Sequence, residues 1–539
     1  DVLIMLAAGY SLDSVFSQLE KTQTPPAVDT EDLETALQNQ DSRSRFMVIT
    51  DDSELEEMLA APLEKWRVFL HPTQRKLVER DWNGAVRVLG GAGTGKTVVA
   101  MHRAKWLAKH CFNDPHDRIL FTTFTRNLAV DINANLATIC PPDLMNRIHV
   151  VNLDSWVANF LKQEGIETKN LYDQDTKPLW ADAYTLAPVE LGLSLAFYQE
   201  EWQEVVVGQG CQTLRDYLLA RRTGRGTRLS RQQRQAIWGV FEEYRNLLRE
   251  QGWREPDDAM RDAAHLIQAK GSESLPYKAV IVDEAQDMSE AAFELMRAIA
   301  GPPHPNDLFI VGDAHQRIYG KVVTLSRCGI DIRGRSRKLR LNYRTTDEIR
   351  QWAAAVLAGV AVDDLDGGTD SLHDYRSLMH GDDPLIKGFA TVEDECQFLQ
   401  QTLNHIQASE DTLSGVCLAF RTNALMEQYE AAFQQMNLPF KQIRRNQPDN
   451  PLDSGIRIGT MHRVKGLQFN YMLLPSLNAD VLPLSVGLNA RADEISRSKF
   501  MTEERCLLHV AATRAKKQVI LTYYGQPSPL IIHNVTDPD

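Results

Sequence analysis

The chain has 539 residues, 43% of them hydrophobic, and a formal net charge of −13. That length supports roughly three or four folded units, and no run of roughly eighteen apolar residues is present to cross a bilayer. Seven scattered cysteines with no CxxC spacing argue against a disulfide framework, a zinc site or a metal cluster, and fit a reducing, bacterial-type cytoplasm.

Residues 1–65 read as a segment of unassigned role. The first twenty residues lack a basic start and a small-residue cleavage site, so no secretory signal is expected. The missing initiator Met suggests a piece of something longer, and an upstream domain is one expected partner. KTQTPPAVDTED reads as a linker, RFMVIT as a strand and DDSELEEMLAAP as an acidic helix.

The sharpest local pattern is VRVLGGAGTGKTVVAMHRA. Val86 to Leu89 form a short apolar strand, Gly90 to Thr97 match GxxxxGK[ST], and helical spacing runs on through Trp106. Glycines let backbone N–H groups wrap around phosphates, and the helix N-terminus adds partial positive charge. The phosphate cradle is Gly91, Ala92, Gly93, Thr94, Gly95, Lys96 and Thr97; Lys96 reaches the β- and γ-phosphates and Thr97 ligates Mg²⁺. A second apolar strand, Ala279 to Val282, ends in DEAQD. Asp283 completes the Mg²⁺ shell, and Glu284 orients or deprotonates the attacking water. ATP and Mg²⁺ are therefore the expected cofactors.

Two basic runs stand out against the acidic background. Arg221, Arg222, Arg225, Arg228, Arg231 and Arg234 form one; Arg333, Arg335, Arg337, Lys338 and Arg340 form the other. Each reads either as a solvated face or as a nucleic-acid contact.

GGAGTGKT followed by a strand and DEAQD resembles the UvrD/Rep family of superfamily 1 helicases. Further family motifs occur in order from about Phe69 to Tyr524. The resemblance implies that Gln74, in FLHPTQRKL, reads the adenine edge. In ILFTTFTRN, Thr123, Phe124 and Thr125 contact nucleic acid; for Phe124 a core role is the alternative. VVNLDSW is a loose match to the next motif. In DLFIVGDAHQRIYG, Asp313 and Gln316 follow a strand, and Gln316 senses the γ-phosphate. Gly320, Lys321 and Val322 stand where relatives carry a base-stacking Trp, leaving Tyr319 as the aromatic. In KLRLNYRTT, Tyr343 stacks on adenine and Arg344 is an arginine finger. GIRIGTMHRVKGLQF supplies Thr460, His462, Lys465 and Gly466, with Gln468 in place of a nucleotide-contacting Glu. Arg514 is a second arginine finger, and Arg505 a structural residue.

The implied fold class is α/β: two RecA-like P-loop lobes, each a parallel sheet flanked by helices. The first lobe takes residues 66–160 and 257–335, around a helical 1B-like insertion at 161–256. Within that insertion the first arginine run then reads as a strand or duplex contact. The second lobe takes 336–530, and 531–539 form a tail. Residues 441–455, rich in Pro, Asp and Asn, form a short loop where relatives insert the 2B subdomain. The implied substrate is single-stranded DNA or tailed duplex, with 3′-to-5′ travel and a role in repair, replication or defence. Two other readings are an ATPase that remodels a protein–nucleic-acid complex without processive unwinding, and an RNA-directed enzyme.

Overall fold

The computed structural model describes residues 70–532, apart from 168–170, 172, 223–224, 319–322, 361, 364–367, 371–374, 411, 437 and 445–453. Residues 1–65 and Tyr319 therefore lie outside the described residues.

Six parallel strands form the first sheet: β1 (Val86–Gly90), β2 (Arg118–Thr123), β3 (Ile148–Asn152), β4 (Tyr277–Val282), β5 (Leu308–Gly312) and β6 (Ser336–Leu339), in the order β3-β2-β4-β5-β1-β6. These strands are nearly continuous apolar runs because both faces are covered. Ala279 and Ile281 of β4 enter one core, with Val88 and Phe121; Val280 and Val282 enter the opposite one, with Leu120 and Phe293.

β6 pairs with β1, from Arg87↔Ser336 to Gly90↔Leu339, and Leu339 enters the first lobe's core. The chain therefore leaves the first lobe after Leu339, correcting the boundary expected at residue 336. It crosses through β7 (Leu341–Thr346), which pairs in parallel with β10 (Arg376–Met379). The short strands β8 (Val362–Asp363) and β9 (Thr369–Asp370) form a hairpin between them.

The second sheet is also parallel throughout. It contains β11 (Leu385–Phe389), β12 (Val416–Phe420), β13 (Phe440–Gln442), β14 (Ile456–Thr460), β15 (Phe469–Leu474) and β16 (Ala515–Tyr524), ordered β11-β16-β15-β12-β14-β13. Helices cover both faces: Cys417 and Ala419 point into one core, Val416, Leu418 and Phe420 into the other. β13 lies directly beside β14, joined only by residues 443–455. That is too short for a folded subdomain.

The insertion has a separate core. Trp180, Trp202, Tyr217, Phe241 and Tyr244 pack together from the helical segments Asp173–Tyr184, Trp202–Val207, Leu214–Leu219 and Arg231–Glu250. It begins later than residue 161, because helix Leu153–Gln163 buries Trp156, Val157, Phe160 and Leu161 in the first lobe. Among the described residues, no helix is long and apolar enough to cross a membrane.

Candidate nucleotide site between the lobes

In parallel α/β sheets, ligands gather beyond the carboxyl ends of the strands. Here β1 delivers the glycine loop, β4 delivers Asp283 and β5 delivers Asp313 to one such edge. The loop turns through Gly93 (φ 74°) and Gly95 (φ 80°). Gly93 has a second constraint: a Cβ there would sit 2.1 Å from Asn342 Oδ1. Lys96 opens helix Lys96–Trp106, and its Nζ donates to Gly90 O and Gly91 O, each at 2.7 Å, and to Asp313 Oδ2 at 3.2 Å. Thr94 is tied back to Gly91 O through its hydroxyl at 2.9 Å.

Thr97 Oγ1 donates to Asp283 Oδ2 at 2.7 Å. Burial, reinforced by Glu284 alongside, pushes the Asp283 carboxyl up to about 7. A hydroxyl and a costly buried carboxylate on one spot are the donor set a Mg²⁺ ion would satisfy, so the residues fit the implied metal. Glu284 takes a left-handed backbone (φ 55°), which an L-residue holds at a cost. Its carboxylate accepts from Gln286 Nε2, while Gln286 Oε1 accepts from Asp313 N at 2.9 Å.

Gln316 joins the two lobes. Its Nε2 donates to Asp313 Oδ2 at 2.6 Å, and its Oε1 accepts from Arg514 Nη2 at 2.7 Å. Burial alone would raise Asp313, but Lys96 and His315 hold its carboxyl well below the usual range. Burial lowers the Arg514 guanidinium. Burial, together with Arg514 nearby, brings Arg344 down to about 10. The two arginines thus converge on one region, facing Glu284.

Three contacts here were not singled out from the sequence. Lys465 pairs with the buried Asp287, the last acid of DEAQD, and donates to Gln316 O at 2.7 Å. Asp313 holds the phosphate-loop lysine. Asn342 Oδ1 accepts from Arg344 N at 2.8 Å, setting the approach of that arginine. The proximity of Lys465 to His462 in the motif was the one signal available for the first.

Gln74 is buried, and its amide is turned into the glycine loop: Nε2 donates to Thr94 O at 3.0 Å, and Oε1 accepts from His71 N at 3.3 Å. Tyr343 N donates to Gly93 O at 3.0 Å, and its ring lies 5.3 Å from that of His71. These two rings mark the rim of the cleft. Gln468 is exposed.

The residues expected on nucleic acid separate by burial. Thr123 is fully buried at the end of β2, while Phe124 and Thr125 are partly exposed. Phe124 packs against the first lobe's core on one side. Thr125 caps helix Arg126–Ile139, its side chain accepting from Leu128 N. In the second lobe Thr460 is buried at the end of β14 and His462 is partly exposed beside Arg421, Arg463 and Lys465.

The first arginine run is corrected by the structure. Arg222 Nε and Arg225 Nε donate to opposite oxygens of Glu201, at 2.6 and 3.0 Å, and Glu201 is fully buried. Arg234 packs over the Tyr217 ring and caps the carbonyls of Tyr217 and Ala220. These three arginines neutralise and brace the insertion's interior; only Arg221, Arg228 and Arg231 face solvent. In the second run Arg335 caps Ala85 O and Asp331 O, and Arg337 lies over Trp82.

Comparison with known proteins agrees with this geometry. The family model for the UvrD/REP helicase N-terminal domain matches residues 70–320, and that for the UvrD-like helicase C-terminal domain matches 337–448 and 443–526. A probable DNA helicase of Mycoplasma pneumoniae is 26% identical over 475 residues, covering 84% of this chain and 83% of that protein. The ATP-dependent DNA helicase PcrA of Leuconostoc citreum is 24% identical, over 67% of this chain and 48% of its own length. The ATP-dependent DNA helicase Rep of Buchnera aphidicola is 26% identical over 46% of this chain and 38% of its own. The chain thus spans most of the first relative and half or less of the other two. With the phosphate loop, the Asp283–Glu284 pair and two arginines meeting in one cleft between parallel-sheet lobes, the chain belongs to the UvrD/Rep family of ATP-dependent DNA helicases.

Proposed function

We propose that this chain moves 3′ to 5′ along single-stranded DNA, one lobe gripping while the other advances, with ATP hydrolysed in the cleft. The observation that carries this reading is the Gln316 side chain, bonded to Asp313 in one lobe and Arg514 in the other. A change at the γ-phosphate alters that pairing, so the lobes' separation follows the nucleotide. The polarity is taken from family membership.

Lys96 holds the β- and γ-phosphates, with Gly91 to Thr97 supplying N–H donors. Arg344 and Arg514 stabilise charge on the transferring group; such fingers contribute about 10³–10⁵ in rate. Glu284 orients the attacking water. Thr97 and Asp283 would hold Mg²⁺, which would supply neutralisation of the phosphate charge. The adenine ring is placed between His71 and Tyr343, near Gln74, with Gln468 at the sugar. Phe124, Thr125 and His462 line the strand's path, and Thr123 and Thr460 shape it from beneath; the resemblance adds Tyr319, which lies outside the described residues. The chain's setting in this reading is a bacterial-type cytoplasm. The strand's pathway is repair, replication or defence.

The direct join of β13 to β14 favours translocation over unaided unwinding, because no subdomain is inserted there to engage duplex. The test is ATPase rate with and without single-stranded DNA, with RNA at matched salt, then strand displacement on 3′- and 5′-tailed duplexes. Hydrolysis indifferent to any strand would defeat the motor reading. Displacement from 5′ tails alone would defeat the polarity.

A further inference from the structure

The insertion is rooted firmly in the first lobe. Glu255, at the return point, is almost wholly buried and accepts from Trp202 Nε1 at 3.0 Å, Tyr244 OH at 3.0 Å and Gln203 Nε2 at 3.2 Å. Arg261, on helix Pro256–Lys270, donates to Val207 O at 2.7 Å. Its far edge reaches across to the second lobe. Asp493 caps helix Glu494–Ala512, accepting from Ser496 N at 2.9 Å, and its other oxygen accepts from Thr227 N of the insertion at 3.1 Å. Ser496 Oγ donates to Glu200 Oε2 at 2.8 Å, and Lys499 Nζ pairs with Glu204 at 2.6 Å. Glu200 is in turn held by Arg225 at 2.8 Å.

The two attachments differ in kind. The root is aromatic and buried. The far contact is polar, with Lys499 and Glu204 side chains 46% and 33% exposed. An exposed pair of this sort contributes little and is readily broken. Since the lobes also meet at the nucleotide cleft, the three bodies close a ring.

The same helix that receives the insertion leads to the cleft. It spans 19 residues, about 28 Å at ~1.5 Å per residue. Beyond its latched end, Glu504 takes a two-pronged contact from Arg421, at 2.9 and 2.5 Å, beside His462. Near its far end, His509 Nδ1 lies 2.8 Å from Ala353 O, and Arg514 follows two residues past the helix. One continuous helix thus runs from the latch, at Ser496 and Lys499, to the cleft beside Arg514.

We infer that Glu200, Glu204 and Thr227 of the insertion and Asp493, Ser496 and Lys499 of the second lobe form an openable gate that closes around the single strand. Helix Glu494–Ala512 ties its state to the nucleotide cleft. This rests on the strand-binding reading above. It predicts a topological property: a strand without ends enters only when the gate opens.

The test is a Gly226→Cys/Asp493→Cys pair in the full chain, with each single variant as control. A Cβ on Gly226 would lie 2.5 Å from Asp493 Cγ, so the two thiols can bridge. Protein oxidised before mixing is expected to lose binding to circular single-stranded DNA while still threading linear strands. Protein oxidised after binding a circle is expected to stay on it in high salt, where the reduced form dissociates. Oxidised protein, with the bridge verified, that binds and releases circles as the reduced form does would overturn the gate. Reduced protein that binds no strand would overturn the underlying reading, and the gate with it. Independently, Lys499→Glu is expected to speed loading onto circles, and Glu204→Lys in the same chain to reverse that gain. A double reversal no different from Lys499→Glu would also count against the gate.

Discussion

Gln316 and Arg514, 198 positions apart in the chain, share a 2.7 Å hydrogen bond across the cleft. Both partners are buried, at 3% and 2% exposure, so the bond is made away from competing water. It places the second lobe's arginine within reach of the site where Lys96 and Asp313 meet.

Arg514→Ala is accordingly expected to reduce kcat for ATP by about 10³ while leaving nucleotide affinity within a few-fold. Fluorescent-nucleotide titration and steady-state hydrolysis check the two halves separately. Normal turnover in this variant would remove Arg514 from the site. Gln316→Ala is expected to lower the stimulation of hydrolysis by DNA as well as turnover itself, because it breaks the bond to both lobes.

Phe124→Ala tests the strand path. Base–aromatic stacking contributes ~1–3 kcal/mol per base, so single-strand affinity should fall roughly five-fold at the lower end of that range and more above it. Because the ring also packs on the first lobe's core, thermal melting must be followed in parallel. Affinity unchanged in a folded variant would assign Phe124 to the core alone. Thr123→Val, at a fully buried position, is expected to change affinity little.

What the sequence disclosed follows range. The phosphate loop was readable because strand, glycines and helix are contiguous, and Asp283 because an apolar run ends on it. Lys465–Asp287 was not readable: the partners lie 178 positions apart and meet only when the lobes pack. The arginine run showed its charge plainly, but nothing local announced that Glu201 would be buried among it. β6 was misassigned because SRKL is mostly polar, as an edge strand can be, and only Leu339 reports the core it joins.

The Glu201 cluster makes a stability prediction. Removing one partner from a buried ion pair costs about 3–5 kcal/mol, since the remaining charge is stranded. Arg222→Ala is expected to destabilise by less than that, because Arg225 and the Tyr217 hydroxyl still bond Glu201, and Arg221→Ala, at a solvent-facing position, hardly at all. Combining Arg222→Ala with Glu201→Gln should recover part of the loss, and denaturant unfolding of the four proteins closes the cycle. Equal, small effects at Arg221 and Arg222 would show that Glu201 is not held as described.

One pH dependence of stability should come from His509. Burial holds its imidazole down to about 4, against an ordinary 6.5. The unfolded chain therefore binds a proton at a pH where the folded chain does not. Stability from this group is complete above about 6.5, declines as pH falls, and levels off below about 4. The slope approaches 1.4 kcal/mol per pH unit within that window. His509→Gln removes the group, so its unfolding free energy should fall less steeply between pH 6.5 and 4, whatever its value at neutral pH. Parallel slopes for parent and variant would mean that His509 titrates alike in both states, and that it lies open to water despite its place against Ala353.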